Sequence, residues 1–133
     1  MSETMILSPA SITPVDRGGG VRTWPLVTAG LGATNFLNGI TEFDPGASLP
    51  LHSHNCEESV VVLAGNAGFE FEGQVREMAP NDTTWVPAGV VHRFLNLGSA
   101  PMRILWTYAS TEATRTIAST GETHRIAFEA ARR

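Results

Sequence analysis

Gly46 to Gly65 reads GASLPLHSHNCEESVVVLAG, and inside it His52 and His54 stand one residue apart. On a strand, side chains at i and i+2 point to the same face, so the two imidazoles can reach one ion. Glu58 follows, with Asn55 and Cys56 available for a turn between it and His54. A third histidine, His92, lies in a later run just after Pro87-Ala88-Gly89. Three imidazoles and one carboxylate suit a first-row divalent metal, and a two-histidine, one-carboxylate set with open positions is typical of non-haem iron. An HxH pair alone carries little weight. The remaining sequence has to supply a frame that brings these residues together.

That frame reads as β structure. Short apolar runs end at turn signals at nearly regular intervals: Phe36 to Phe43 at Asp44-Pro45-Gly46, Ser59 to Ala64 at Gly65-Asn66, Gly68 to Glu72 at Gly73, Val75 to Met78 at Pro80-Asn81-Asp82, and Thr83 to Val86 at Pro87. Val91 to Leu97 and Met102 to Tyr108 complete the series. Short strands spaced by Gly and Pro turns are the signature of a sandwich or barrel, and no segment here keeps a helical period. Val60 to Leu63 is apolar at both parities, which predicts a strand covered on both faces, with a partner subunit as one such cover. Upstream, residues 1–33 read as a loosely held arm. Gly18-Gly19-Gly20 marks a flexible joint, and Pro25 demotes Val21 to Val27 to an edge strand. Residues 109–133 read as a polar tail, with Thr123 to Arg133 a short terminal helix or a mobile end.

The 133 residues are one domain's worth. Charged residues make up only 17% and the net charge is −4, so no basic field is available for a nucleic-acid backbone. The chain contains no lysine. This excludes Schiff-base chemistry and a P-loop. Cys56 is the single cysteine, so no intrachain disulfide forms. No apolar run is long enough to span a bilayer, and Met1 to Ala10 lacks the features of a signal peptide. A cytoplasmic location and no membrane partner are expected.

Taken with residues 81–96, NDTTWVPAGVVHRFLN, the opening stretch resembles the cupin superfamily. Gly46, His52, His54, Glu58 and Gly65 match every fixed position of that superfamily's first motif, G(X)5HXH(X)3E(X)6G. Pro87, Gly89, His92 and Asn96 match the second, G(X)5PXG(X)2H(X)3N, with Asn81 in place of its opening glycine. Asn tolerates the left-handed turn conformation that glycine serves there. The resemblance implies an all-β, double-stranded β-helix (jelly-roll) barrel with its core at residues 34–108 in a single domain 1–133. It implies His52, His54, Glu58 and His92 as metal ligands, with the metal near one mouth and positions left open for water, oxygen or substrate. Its spacing selects Glu58 over the rival Glu57, which then faces outward. Iron, manganese, nickel, zinc, cobalt or copper would each suit such a site. The resemblance also implies a homodimer.

Val60 and Val62 share parity with Glu58, and Phe94 shares parity with His92, so these three are expected to line a substrate pocket. Asn96 reads as a structural hydrogen-bonder, Cys56 as a small buried residue, and His124 as isolated. Trp85, Trp106 and Tyr108 read as core or interface aromatics. Arg103, in an apolar strand, is expected to form a surface ion pair, with a substrate carboxylate as the alternative partner. No acid–base residue beyond the ligands faces inward in this reading, which leaves the chemistry to the metal. A metal-dependent enzyme acting on a small organic molecule is expected, with oxygen-dependent cleavage ahead of isomerase or lyase chemistry. A non-catalytic binding or sensor protein is the competing reading.

Overall fold

Alternation sets the architecture. Leu37 to Phe43 and Met102 to Tyr108 each bury every second residue and leave the intervening ones half-exposed. Two such strands can pair only if their buried parities coincide. They do, with Met102 opposite Phe43 and Tyr108 opposite Leu37. The computed structural model describes residues 4–126. Its twelve strands, in chain order, are β1 Val15–Gly18, β2 Val21–Pro25, β3 Leu37–Phe43, β4 His52–His54, β5 Glu58–Ala64, β6 Ala67–Phe71, β7 Gln74–Met78, β8 Thr83–Val86, β9 His92–Asn96, β10 Met102–Tyr108, β11 Thr114–Ile117 and β12 Thr123–Arg125. They form two six-stranded antiparallel sheets, β1-β2-β3-β10-β5-β8 and β12-β11-β4-β9-β6-β7. This is the expected jelly roll. Between the sheets Phe43, Val60, Val62, Phe94, Met102 and Trp106 pack as part of one core.

Several expectations change at the margins. The arm is part of the first sheet: β1 and β2 form a hairpin whose turn is Gly18-Gly19-Gly20, all at positive φ, which only glycine adopts freely. Pro25 does not make β2 an edge, because β2 lies between β1 and β3. β1 reaches only as far as Thr23, so the side of Pro25 that lacks a donor faces no partner strand. The polar tail supplies β11 and β12, so Thr123 to Arg125 is strand rather than helix, and residues 127–133 lie outside the described residues. Val60 and Val62 are fully buried, whereas Leu63 is 42% exposed, so the outer face of β5 is not covered within this chain. Asn81 sits at φ 80, the left-handed turn expected of it. Among the described residues no helix is long and apolar enough to cross a membrane.

Gly39 shows how tightly the sheet is fitted. It lies opposite Trp106, whose indole occupies the place of the missing side chain. A Cβ at Gly39 would meet that ring, and would stand 2.6 Å from the Trp24 carbonyl oxygen. Gly39→Ala should therefore destabilise the fold by about 1–3 kcal/mol, read from the midpoint of urea denaturation.

Candidate metal centre and its cavity

Cross-strand pairing assembles the histidines. β4 holds His52 and His54 on one inward face, and His52 lies directly opposite His92 of β9. The three ring centroids are 4.8–5.4 Å apart, and one ring nitrogen from each lies within 4.8 Å of the other two. Glu58, the first residue of β5, reaches in from the other sheet. Its Oε1 is 2.8 Å from His92 Nε2 and 3.8 Å from His54 Nε2. All four residues are buried.

The ring orientations are fixed from behind. Nδ1–H of His52 donates to the Pro50 carbonyl at 2.7 Å, that of His54 to Thr114 at 2.9 Å, and that of His92 to Val90 at 2.8 Å. A carbonyl only accepts, so each Nδ1 carries the proton and each Nε2 presents a lone pair inward. His54 Nε2 is buried and has no hydrogen-bond partner among the described residues. His92 Nε2 faces a carboxylate oxygen, and two acceptors that close need a shared proton or a cation between them. Three inward lone pairs beside a carboxylate fit a divalent ion, with backbone carbonyls in the outer supporting role.

Burial pushes His52 down to about 2 and also lowers His54. The Pro50 and Glu58 interactions oppose these shifts, and Arg115 adds to both. Neutral imidazoles are the state that ligates metal.

A narrow cavity of about 30 Å³ opens beside His52 and Glu58. Its apolar wall is Phe43, Leu49, Phe94, Ile104, Trp106 and Tyr108. Phe94, one of the three residues expected at a substrate pocket, lines this cavity. Val60 and Val62 are not on this wall; fully buried, they belong to the packed core. Trp106 and Tyr108 are cavity aromatics as well as core residues, while Trp85 is 69% exposed and donates from Nε1 to outward-facing Glu57. Asn96 is a structural hydrogen-bonder that ties Phe43, Gly98 and Ala100. Cys56 packs against the core, and burial raises its thiol pKa. His124 is exposed on β12. Arg103 pairs with Glu42 at 3.3 Å, and Arg93 with Glu70 at 2.7 Å.

Of the cavity residues, only Phe94 and the ligands His52 and Glu58 were expected there; the unforeseen ones include two arginines, Arg17 of β1 and Arg115 of β11. Arg17 Nη1 donates to Thr23 Oγ1 at 3.4 Å. Thr23 in turn bonds Thr41, and Thr41 accepts from Trp106 Nε1 at 2.8 Å. This buried polar chain links the arm to the cavity wall.

The buried imidazoles have a consequence for stability. Unfolded histidines titrate near 6.5, so the stabilisation from holding His52 and His54 neutral is complete above that pH and is lost as acid protonates the unfolded chain. Chelator-treated protein should show a falling urea midpoint from pH 7 to pH 5, with a shallower fall in His52→Gln.

The cupin domain family matches residues 39–108. Polyketide synthase CurC of Streptomyces cyaneus is 30% identical over 91 residues, which are 68% of this chain and 58% of that protein, so the chain spans less than two thirds of this relative. The polyketide cyclase RemF of Streptomyces resistomycificus superposes with a TM-score of 0.75 at 22% identity, covering 93% of this chain and 86% of the other. A predicted oxalate decarboxylase of Thermotoga maritima superposes at 0.70 and 23% identity, covering 80% and 99%. At these identities the superpositions speak to the fold, and they agree with the family match over β3 to β10. The chain belongs to the cupin domain family.

Proposed function

We propose that the chain is a metal-dependent enzyme, that His52, His54, Glu58 and His92 hold its divalent ion, and that its substrate is a small enolisable carbonyl compound. The observation that carries this reading is the set of three Nδ1–H bonds to backbone carbonyls, which turn three Nε2 lone pairs toward Glu58. When bound, such an ion supplies a Lewis acid that polarises a carbonyl oxygen and acidifies the adjacent C–H.

The chain's own residues decide what reaches that point. Phe94, Trp106 and Tyr108 offer flat apolar surfaces, which favour an unsaturated substrate over a sugar. The lining holds no carboxylate besides Glu58. With Glu58 and the imidazoles engaged, little side-chain acid–base capacity remains. The likeness to CurC, a polyketide synthase, and RemF, a polyketide cyclase, supports a compound with closely spaced carbonyls, whose intervening C–H is acidic. It favours ring closure or isomerisation over the oxygen-dependent cleavage expected from the sequence.

The partner in this reading is a second copy of the chain. Strand register sets Trp24, Ile40, Leu105 and Val61 in one row across the outer face of the first sheet. Arg22, Glu42 and Arg103 form a neighbouring row whose charges pair within the chain. Leu63 lies next to this surface, and its exposure fits an interface.

Elemental analysis of protein purified without a chelating tag should give about one ion per chain, lost in His52→Ala and in His92→Ala. Turnover of 1,3-diketones should be equal under air and nitrogen. Dependence on oxygen would restore cleavage as the reaction, and metal-free protein or full metal in both variants would refute the site. Sedimentation should report twice the 14.2 kDa chain mass, reverting to 14.2 kDa in Leu105→Arg.

A further inference from the structure

Two arginines stand in the lining of the cavity. Arg115 and Arg17 line it, from opposite sheets, and Glu58 is the one carboxylate among the lining residues. Arg115 is cross-strand to His54 and lines the same space as His52. Its Nε is buried and has no hydrogen-bond partner, and no ion pair to Arg115 is present among the described residues. By contrast, Arg22, Arg93 and Arg103 each have a carboxylate within 3.3 Å. Arg115 as a whole is half-buried, but a guanidinium N–H taken out of water with no acceptor is costly. Placing it beside a cluster suited to a divalent cation adds repulsion. Such an arrangement is stable and useful when an anion enters, since a guanidinium fork recognises carboxylate oxygens with directed, charge-assisted bonds.

We infer that Arg115, assisted by Arg17, forms an anion subsite that takes a carboxylate of the substrate while the histidine cluster faces the substrate's carbonyl group. The inference rests on the enzyme reading above and narrows it to enolisable carbonyl acids. The two arginines have different parts. Arg17 is tied to Thr23 and to the buried chain that ends at Trp106, so its position follows the aromatic wall. Arg115 has its Nε free of such ties, so it is the principal anion contact. The narrow cavity suits the polar end of a molecule, with the remainder lying toward the mouth.

Acetoacetate and its methyl ester test this, because they share the carbonyl pair and differ in charge. Calorimetric titration into zinc-loaded wild type should show the acid binding at least about tenfold tighter than the ester. Arg115→Gln should abolish that preference with zinc content unchanged, Arg115→Lys should keep part of it, and Arg17→Gln should weaken it less than Arg115→Gln. Equal binding of acid and ester by wild type would overturn the inference whether or not a variant folds. So would a preference that survives in Arg115→Gln. The same titration on chelator-treated protein separates the two readings. Loss of zinc binding in wild type refutes the metal centre. A preference that vanishes with the ion while Arg115 is intact refutes the arginine subsite.

Discussion

The candidate metal centre depends on three backbone carbonyls that hold imidazole Nδ1 protons. Pro50, Thr114 and Val90 come from separate parts of the chain, and each fixes one ring so that its Nε2 looks inward. A buried imidazole free to rotate would find other partners, and a metal site built from such rings would be weak. The jelly roll makes the locks possible. β4 is only three residues long, yet it is clamped between β9 and β11, and its last carbonyl accepts from Gly89 N–H in the turn before β9. Short-range chemistry at His52 and His54 therefore rests on long-range strand pairing.

The core of this arrangement was legible in the residues. Glycine and proline punctuation marked β3 and β5 through β10 to within a residue or two at each end, because their inward faces are apolar and their turns need special backbone conformations. The HxH pair stood out because its spacing serves one face of a strand, and Glu58 and His92 because they fall on fixed positions of the cupin motifs that the sequence resembles. Strands β1, β11 and β12 were missed for two physical reasons. β1 and β11 turn polar side chains, Arg17 and Arg115, toward the interior, so neither shows the hydrophobic alternation that reveals a half-buried strand. β12 is exposed along its whole length. The first cause also hid the arginines of the cavity. Polar residues facing a functional cavity look like a tail or an arm when only hydrophobicity is read.

Val60 and Val62 teach the complementary lesson. Parity correctly put them inside, but parity does not say how far along the barrel the cavity extends. Their burial among core side chains sets them below the site, while Phe43, Trp106 and Tyr108, from β3 and β10, form the wall. Trp106 links packing to function. Its indole needs the space over Gly39, its N–H anchors Thr41, and Thr41 reaches Arg17 through Thr23. The packing of Trp106 over Gly39 and the cavity residue Arg17 thus belong to one connected set of residues.

Anomalous diffraction from crystals of the metal-loaded protein, recorded at the absorption edge of the bound element, tests the central claim most directly. The account predicts one peak within bonding distance of Nε2 of His52, His54 and His92 and of the Glu58 carboxylate, with every Nδ1 still on its carbonyl. A peak elsewhere, or an ion held through Nδ1, would contradict it.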